Sequence, residues 1–190
     1  MRISDDRYTR DRQRLDVAML FIRHEARTHT IRQWTGLTDD RIRKLYRSYL
    51  HAGGTRVARH RGKSPQQASF FLHTPRRRHE AAALAGICAL LGVLETGGGP
   101  WPALAAGVGR AASLCQAYEA YRAMVAEPAI TFEHAVLLLN ALGARRELRL
   151  SRCAGCGALL VTDPLAVRPL RCTLCAPAAG EVRPRATPRH

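Results

Sequence analysis

The chain has 190 residues, which is enough for one hydrophobic core and a small additional module but not for two full domains. Its 30 basic and 15 acidic side chains give a formal net charge of +15, and only Lys44 and Lys63 of the basic set are lysines. Arginine binds phosphates bidentately, so this charge predicts a polyanionic partner, above all nucleic acid. The alternatives are a GC-rich genome and arginines that only keep the surface hydrated.

Charge and hydropathy also exclude several classes. Residues 1–16 are highly charged and contain no apolar secretory segment. The longest apolar run, residues 81–94, is shorter than the ~20 residues that a membrane span needs. We therefore expect a cytoplasmic protein that does not associate with membranes.

The N-terminal region, residues 1–50, predicts three helices. The first covers about residues 7–28 and has an apolar stripe at helical spacing, formed by Leu15, Ala18, Met19, Ile22 and Ala26. The second covers residues 29–35, and Gly36 ends it. Thr38 then caps a third helix over residues 39–50, whose first turn carries Asp39 and Asp40 at the positive end of the helix dipole.

A helix, a glycine turn and a capped helix are typical of a helix-turn-helix motif. Its small core would be Ile31, Leu37, Ile42 and Leu45. The candidate DNA contacts on the third helix are Arg41, Arg43, Lys44 and Arg47. Arg32 departs from the motif, which usually has a small residue at that place. The alternative is an ordinary helical hairpin with a charged, solvent-exposed face.

Residues 51–79 are predicted to form a basic connector, because their glycines and prolines exclude a long helix. Further candidate nucleic-acid contacts lie here: Arg56, Arg59, Arg61 and Lys63. A helical core over residues 80–147 follows, with helices expected at about 80–95, 102–126 and 131–142. Cys88 and Cys115 lie in apolar helical patterns and are interpreted as small core residues.

Four cysteines near the C-terminus form two Cys-x-x-Cys pairs separated by fifteen residues: Cys153, Cys156, Cys172 and Cys175. This spacing is typical of a closed tetrahedral sulfur site for one structural Zn²⁺. A catalytic zinc keeps one position open, so we expect no enzyme activity from it. The alternatives are two disulfides, or a thiol oxidoreductase, which normally has a single pair in a βαβ context.

The zinc module is predicted over residues 148–178, followed by a disordered basic tail at 179–190. The expected fold class is therefore all-α: a helical DNA-binding domain with a helix-turn-helix-like segment, plus a small C-terminal four-cysteine zinc module. Arg152, Arg168 and Arg171 near the cysteines either contact phosphates or offset the charge of the metal centre.

The combination of these segments resembles the FlhC family, one subunit of the flagellar master transcriptional regulator. The similarity covers about residues 10–180. It is carried by Gly36-Leu37-Thr38 with Arg41 to Arg47, by Gly62 to Pro65 with Ser69-Phe70-Phe71, and by Leu150 to Cys153 with Cys175-Ala176-Pro177.

The resemblance implies an activator that binds promoter DNA upstream of flagellar operons as a hetero-oligomer with FlhD and recruits RNA polymerase. It also implies that the four cysteines are the zinc ligands. The apolar content of residues 81–94 and 104–125 is a second reason to expect a partner protein. The alternative function is an RNA- or ribosome-associated structural zinc-ribbon protein.

Overall fold

The computed structural model describes residues 2–52, 60, 62–94, 108–167 and 169–175. In this part of the chain the fold is mostly helical, as expected, and ends in a small two-stranded sheet. The helices are α1 (Arg2–Arg23), α2 (Thr28–Thr35), α3 (Asp39–Ala52), α4 (Pro75–Leu90), α5 (Val108–Met124) and α6 (Phe132–Ala144). A 3₁₀ helix covers Ala68–Leu72, and the strands are β1 (Arg149–Arg152) and β2 (Leu159–Thr162). The predicted domain boundaries stay predictions.

The first helix ends five residues earlier than expected. Glu25 adopts a left-handed backbone with φ of 60°, and the N–H of Ala26 donates to the carbonyl of Phe21 at 2.9 Å. This closes the helix end and turns the chain towards α2. The apolar stripe faces the core as predicted: Ala18, Ile22 and Ala26 are buried, and Leu15 and Met19 pack against them.

The junction between α2 and α3 matches the prediction. Gly36 ends α2 with φ of 69°, and its N–H donates to the carbonyl of Arg32. Thr38 caps α3 by accepting the N–H of Arg41 at 3.4 Å. Ile31, Leu37 and Ile42 are buried, and Leu45 packs against them.

The fourth helix begins at Pro75, not at residue 80, and ends at Leu90, not at residue 95. Pro75 occupies the first turn, where its missing N–H costs nothing, and Thr74 caps the helix by accepting the N–H of Arg77. Arg76 to Arg78 therefore lie in a helix and not in the connector. The anchor predicted at residues 70–72 lies in the 3₁₀ helix, where Phe71 is fully buried.

The core joins the N-terminal helices to the later ones. Phe21 of α1 meets Phe132 of α6 with ring centroids 4.9 Å apart, and Tyr118 of α5 lies 5.3 Å from the same ring. Cys88 and Cys115 are buried as expected, and burial raises the pKa of each thiol to about 12. They are therefore inert core residues.

The apolar faces of α4 and α5 are largely covered within the chain itself. Ala81, Leu84 and Ala85 of α4 are buried, as are Leu114, Ala117 and Tyr121 of α5. The expected start of α5 at residue 102, including Leu104, lies outside the described residues. No described helix has the length and apolarity needed to cross a bilayer.

Candidate metal centre and charged helix face

The four C-terminal cysteines come together at one point. Cys153 follows β1 directly and Cys156 lies in the turn between the strands, while Cys172 and Cys175 lie in a second turn after β2. The strands pair antiparallel with Arg149 opposite Thr162 and Arg152 opposite Leu159. This hairpin was not predicted, because two strands of four residues are too short to give a clear alternating pattern.

The geometry of the cluster fits a metal ion. All four Sγ atoms lie within 4.8 Å of one another, and those of Cys156 and Cys172 are 3.7 Å apart. Metal–sulfur bonds of about 2.3 Å in a tetrahedral shell separate the sulfurs by about 3.8 Å. All six cysteines of the chain are free thiols, so none of these sulfurs is in a disulfide. The four cysteines can therefore close a tetrahedral shell around one metal ion.

Main-chain N–H groups prepare one sulfur as a thiolate. The N–H groups of Cys172 and Gly155 each donate to the Cys153 Sγ at 3.3 Å. These bonds, with that of Cys172 the largest effect, lower the pKa of Cys153 to about 6. Hydrogen bonding to the Cys172 thiol raises the pKa of Cys175 to about 12. Since metals bind thiolates, loading the site releases protons.

Two glycines allow the first turn, for different reasons. Gly157 has φ of +73°, so it meets the predicted need for a left-handed residue. The same prediction was wrong for Gly155, whose φ is not in that region. A Cβ at Gly155 would instead lie 3.0 Å from the Cβ of Cys175 and 3.1 Å from its Sγ. Gly155 is therefore required by the close approach of the two cysteine pairs.

The polar residues around the cluster hold its turns. The Arg152 Nη1 donates to the carbonyl of Gly157 at 3.3 Å, and the Arg171 Nη1 donates to that of Cys175 at 3.4 Å. Asp163 accepts the N–H of Leu165 at 2.7 Å, which is the turn-forming role expected of it. Arg168 lies outside the described residues.

The cysteine module packs on the helical core. Leu148 and Val161 are buried in the main hydrophobic cluster, and the Leu159 side chain lies 3.9 Å from the position of a Cβ on Gly86 of α4. Thr173, between the last two cysteines, hydrogen bonds to His79 of α4. The metal centre is therefore tied to α4 and is not a separate appendage.

The predicted DNA contacts on α3 share one exposed helix. Arg41, Arg43, Lys44 and Arg47 are exposed, while Ile42 and Tyr46 are buried on the other side of the helix. Arg41 lies 3.6 Å from Asp11, and Arg43 lies 2.8 Å from Asp40. Lys44 and Arg47 have no carboxylate partner among the described residues. Arg32 is exposed and lies 3.6 Å from Asp39.

The second predicted set divides. Arg56, Arg59 and Arg61 lie outside the described residues. Lys63 is exposed and lines a polar cleft of about 710 Å³ between α2 and α6, together with Thr28 and His60. Its assignment as a nucleic-acid contact stays a prediction.

Two buried glutamates that position these elements were not identified from the sequence. Glu133 of α6 accepts the N–H of Arg27 at 2.8 Å and the hydroxyl of Thr30 at 2.9 Å, so it caps α2 across more than a hundred residues of chain. Glu80 of α4 accepts the N–H of Ala129 at 2.8 Å and the hydroxyl of Tyr121. Local sequence gives no signal for either, because their partners are distant in the chain.

Comparison of the chain with protein-family models and with curated protein sequences gives no match.

Proposed function

We propose that the chain is a zinc-stabilised, DNA-binding transcription activator of the FlhC type. The observation that carries this proposal is the exposed face of α3, where four cations project from a helix whose opposite side is buried. It acts as a hetero-oligomer with an FlhD-like partner, binds promoter DNA of flagellar operons and recruits RNA polymerase. These last assignments follow from the sequence resemblance.

The α2–turn–α3 unit is the DNA-reading element. A recognition helix needs an exposed face that fits the major groove and a firm seat on the rest of the protein. Ile42 and Tyr46 supply the seat, and the hydroxyl of Tyr46 donates to the carbonyl of Ala26. The surface ion pairs of Arg41 and Arg43 are worth about 0–1 kcal/mol each, so phosphates can replace their carboxylates at little cost.

Zinc is the metal proposed for the cysteine cluster. Four thiolates in a closed tetrahedral shell are the usual donor set of structural Zn²⁺. Cys153, Cys156, Cys172 and Cys175 would hold it, and it would supply folding energy and no reaction. Its role here is to fix the hairpin against α4.

The partner surface is narrower than the sequence suggested. Most apolar residues of α4 and α5 are buried within the chain, but Leu90 is 87% exposed and Met124 is 71% exposed. These residues lie near the C-terminal ends of their helices. They are the best candidates for apolar contacts with the FlhD-like subunit.

Titration of promoter DNA with the purified hetero-oligomer at two salt concentrations tests the proposal. Arg41→Ala, Arg43→Ala, Lys44→Ala and Arg47→Ala are compared with Arg146→Ala, an exposed arginine just after α6. A phosphate contact should weaken binding to every duplex and reduce the salt slope by about one, whereas a base contact should cost about 1–3 kcal/mol and relax specificity.

Three outcomes contradict the proposal. If none of the α3 variants differs from Arg146→Ala, the charged face is not a DNA surface. Tighter binding of structured RNA than of promoter duplex would favour the RNA-associated alternative. A chain that binds promoter DNA equally well without the FlhD-like subunit would exclude the composite activator.

A further inference from the structure

An apolar groove lies between α4 and the cysteine module, away from the charged face of α3. Its volume is about 430 Å³, and its walls carry mostly aliphatic side chains: Leu72, Ala82, Leu159, Val161, Leu170 and Leu174. Leu174 is 89% exposed at its mouth. A concave apolar surface with an exposed leucine at its edge is typical of a site where another chain binds.

The free edge of β2 runs along this groove. All four residues of β2 line it, whereas no residue of β1 does. The N–H of Cys153 donates to the carbonyl of Ala158, and with the observed register this makes Ser151 and Leu160 a hydrogen-bonded pair. The main-chain groups of Leu159 and Val161 therefore point away from β1.

Those outward main-chain groups are available to a further strand. No other described residue makes a hydrogen bond to the main chain of Leu159 or Val161. An unpaired strand edge beside apolar side chains is the structural basis of recognition by strand addition. The groove thus offers both main-chain hydrogen bonds and contacts for alternate side chains.

Charge at the groove selects the kind of chain that fits. Arg78 and Arg171 line it, and each is held by a hydrogen bond to a main-chain carbonyl, that of Leu72 for Arg78 and that of Cys175 for Arg171. Asp163 is the one carboxylate in the lining. The surplus of positive charge favours a segment with acidic flanks.

The same charge disfavours occupants from this chain. Residues 177–190 contain Arg183, Arg185 and Arg189 against the single acid Glu181, and a second copy carries a net charge of +15. We propose that the groove binds an extended, apolar segment of another protein, flanked by acidic residues, which joins β2 as a third strand. This inference does not depend on the proposed function, because its test measures peptide binding and not DNA binding.

Fluorescence anisotropy of the full chain as purified tests the proposal, with the labelled peptide Asp-Glu-Val-Thr-Val-Thr-Val-Glu-Asp as probe. Two control peptides separate the contributions. One has lysines in place of the acidic flanks, and the other is N-methylated on its central amides so that it cannot pair with a strand edge. We expect saturable binding of the acidic probe, with each control weaker by about tenfold or more.

Two variants of equal exposure locate the site. Leu174 lines the groove and Leu165 does not, although each is 89% exposed. Leu174→Glu should weaken the acidic probe by about tenfold or more, and Leu165→Glu by less than about twofold. Because both side chains are exposed, neither change should alter metal content or circular dichroism.

Several results would overturn the proposal. These are no saturable binding of the acidic probe, equal binding of the N-methylated peptide, or equal effects of the two leucine variants. Displacement of the probe by random duplex DNA, with Leu174→Glu lowering DNA affinity by the same factor, would make the groove a nucleic-acid surface. A concentration-dependent dimer in sedimentation that Leu174→Glu dissociates would assign it to a second copy. Tighter probe binding after deletion of residues 177–190 would assign it to the chain's own end.

Discussion

Glu80 connects α4, α5 and the loop before α6 through one carboxylate. Burial alone would raise its pKa, but hydrogen bonds from Tyr121, Arg76 and Ala129 outweigh that effect and lower it. Glu80→Gln places an amide group among three donors, which leaves at least one of them unsatisfied. We expect the free energy of unfolding to fall by about 3 kcal/mol, measured by chemical denaturation.

The pH dependence of stability supplies an independent check on Glu80. Since its pKa is lower in the folded state than its ordinary value of 4.5, its contribution is present above about pH 4.5 and is lost as the pH falls through the folded pKa. Glu80→Gln should therefore lose less stability than the parent chain between neutral and acidic pH. Glu147→Gln, at an exposed position, should leave both the stability and its pH profile unchanged. Parallel profiles for the parent and Glu80→Gln would contradict this role.

At the scale of elements, the turn between α2 and α3 decides where the charged helix lies. Gly36 has φ of +69°, and no atom lies within 4 Å of the position of a Cβ. Gly36→Ala therefore introduces backbone strain without a clash, and should destabilise the chain by about 1–2 kcal/mol. Gly36→Asn should cost less, because asparagine tolerates the left-handed region. Thermal unfolding followed by circular dichroism measures both.

Gly109 provides the matched comparison in α5. It also has no atom within 4 Å of a Cβ position, but its backbone is helical. Gly109→Ala should be neutral or stabilise the chain by up to about 1 kcal/mol, since alanine loses less entropy in a helix. If the two alanine variants change stability alike, strain at Gly36 is not the cause.

Element ends could be predicted where a local cap defines them. The start of α3 at Asp39 and its cap Thr38 were identified correctly, and Thr131 precedes α6 as its cap. The start of α4 was misplaced because Pro75 was taken to exclude a helix, whereas it begins one. The early end of α1 depends on Glu25, a residue type with no preference for the left-handed region.

At the scale of the whole molecule, metal removal should affect more than the hairpin. Leu148 and Val161 belong to the main core, so unfolding the cysteine module exposes apolar surface of α4 and α6. A structural zinc site contributes about 10–16 kcal/mol of apparent binding free energy at pH 7. We expect chelation, or Cys172→Ser, to open residues 148–175 to protease and to lower the Tm of the helices as well.

Metal analysis provides the control for that prediction. Cys88→Ala removes a buried thiol outside the cluster, so one metal ion per chain should be retained even if the core is weakened. Cys172→Ser should lose the ion. Acid should release it too, because protons compete for the thiolates. Full metal content and unchanged protease resistance in Cys172→Ser would exclude the four-cysteine site.

The sequence by itself determined the features that depend on neighbours in the chain. The Cys-x-x-Cys spacing brings each pair of thiols together, Gly36 and Thr38 set a turn and a cap, and helical spacing assigns the apolar stripe of α1. Their physical basis is local, so the order of residues along the chain is sufficient.

Only the tertiary structure decided the features that join distant segments. Glu133 caps α2 from α6, Glu80 binds the loop before α6, and Gly155 is fixed by its approach to Cys175. The groove beside β2 likewise exists because the hairpin packs on α4, which leaves one strand edge open. Such contacts arise when the core closes, and no periodicity or spacing in the sequence encodes which distant partners then meet.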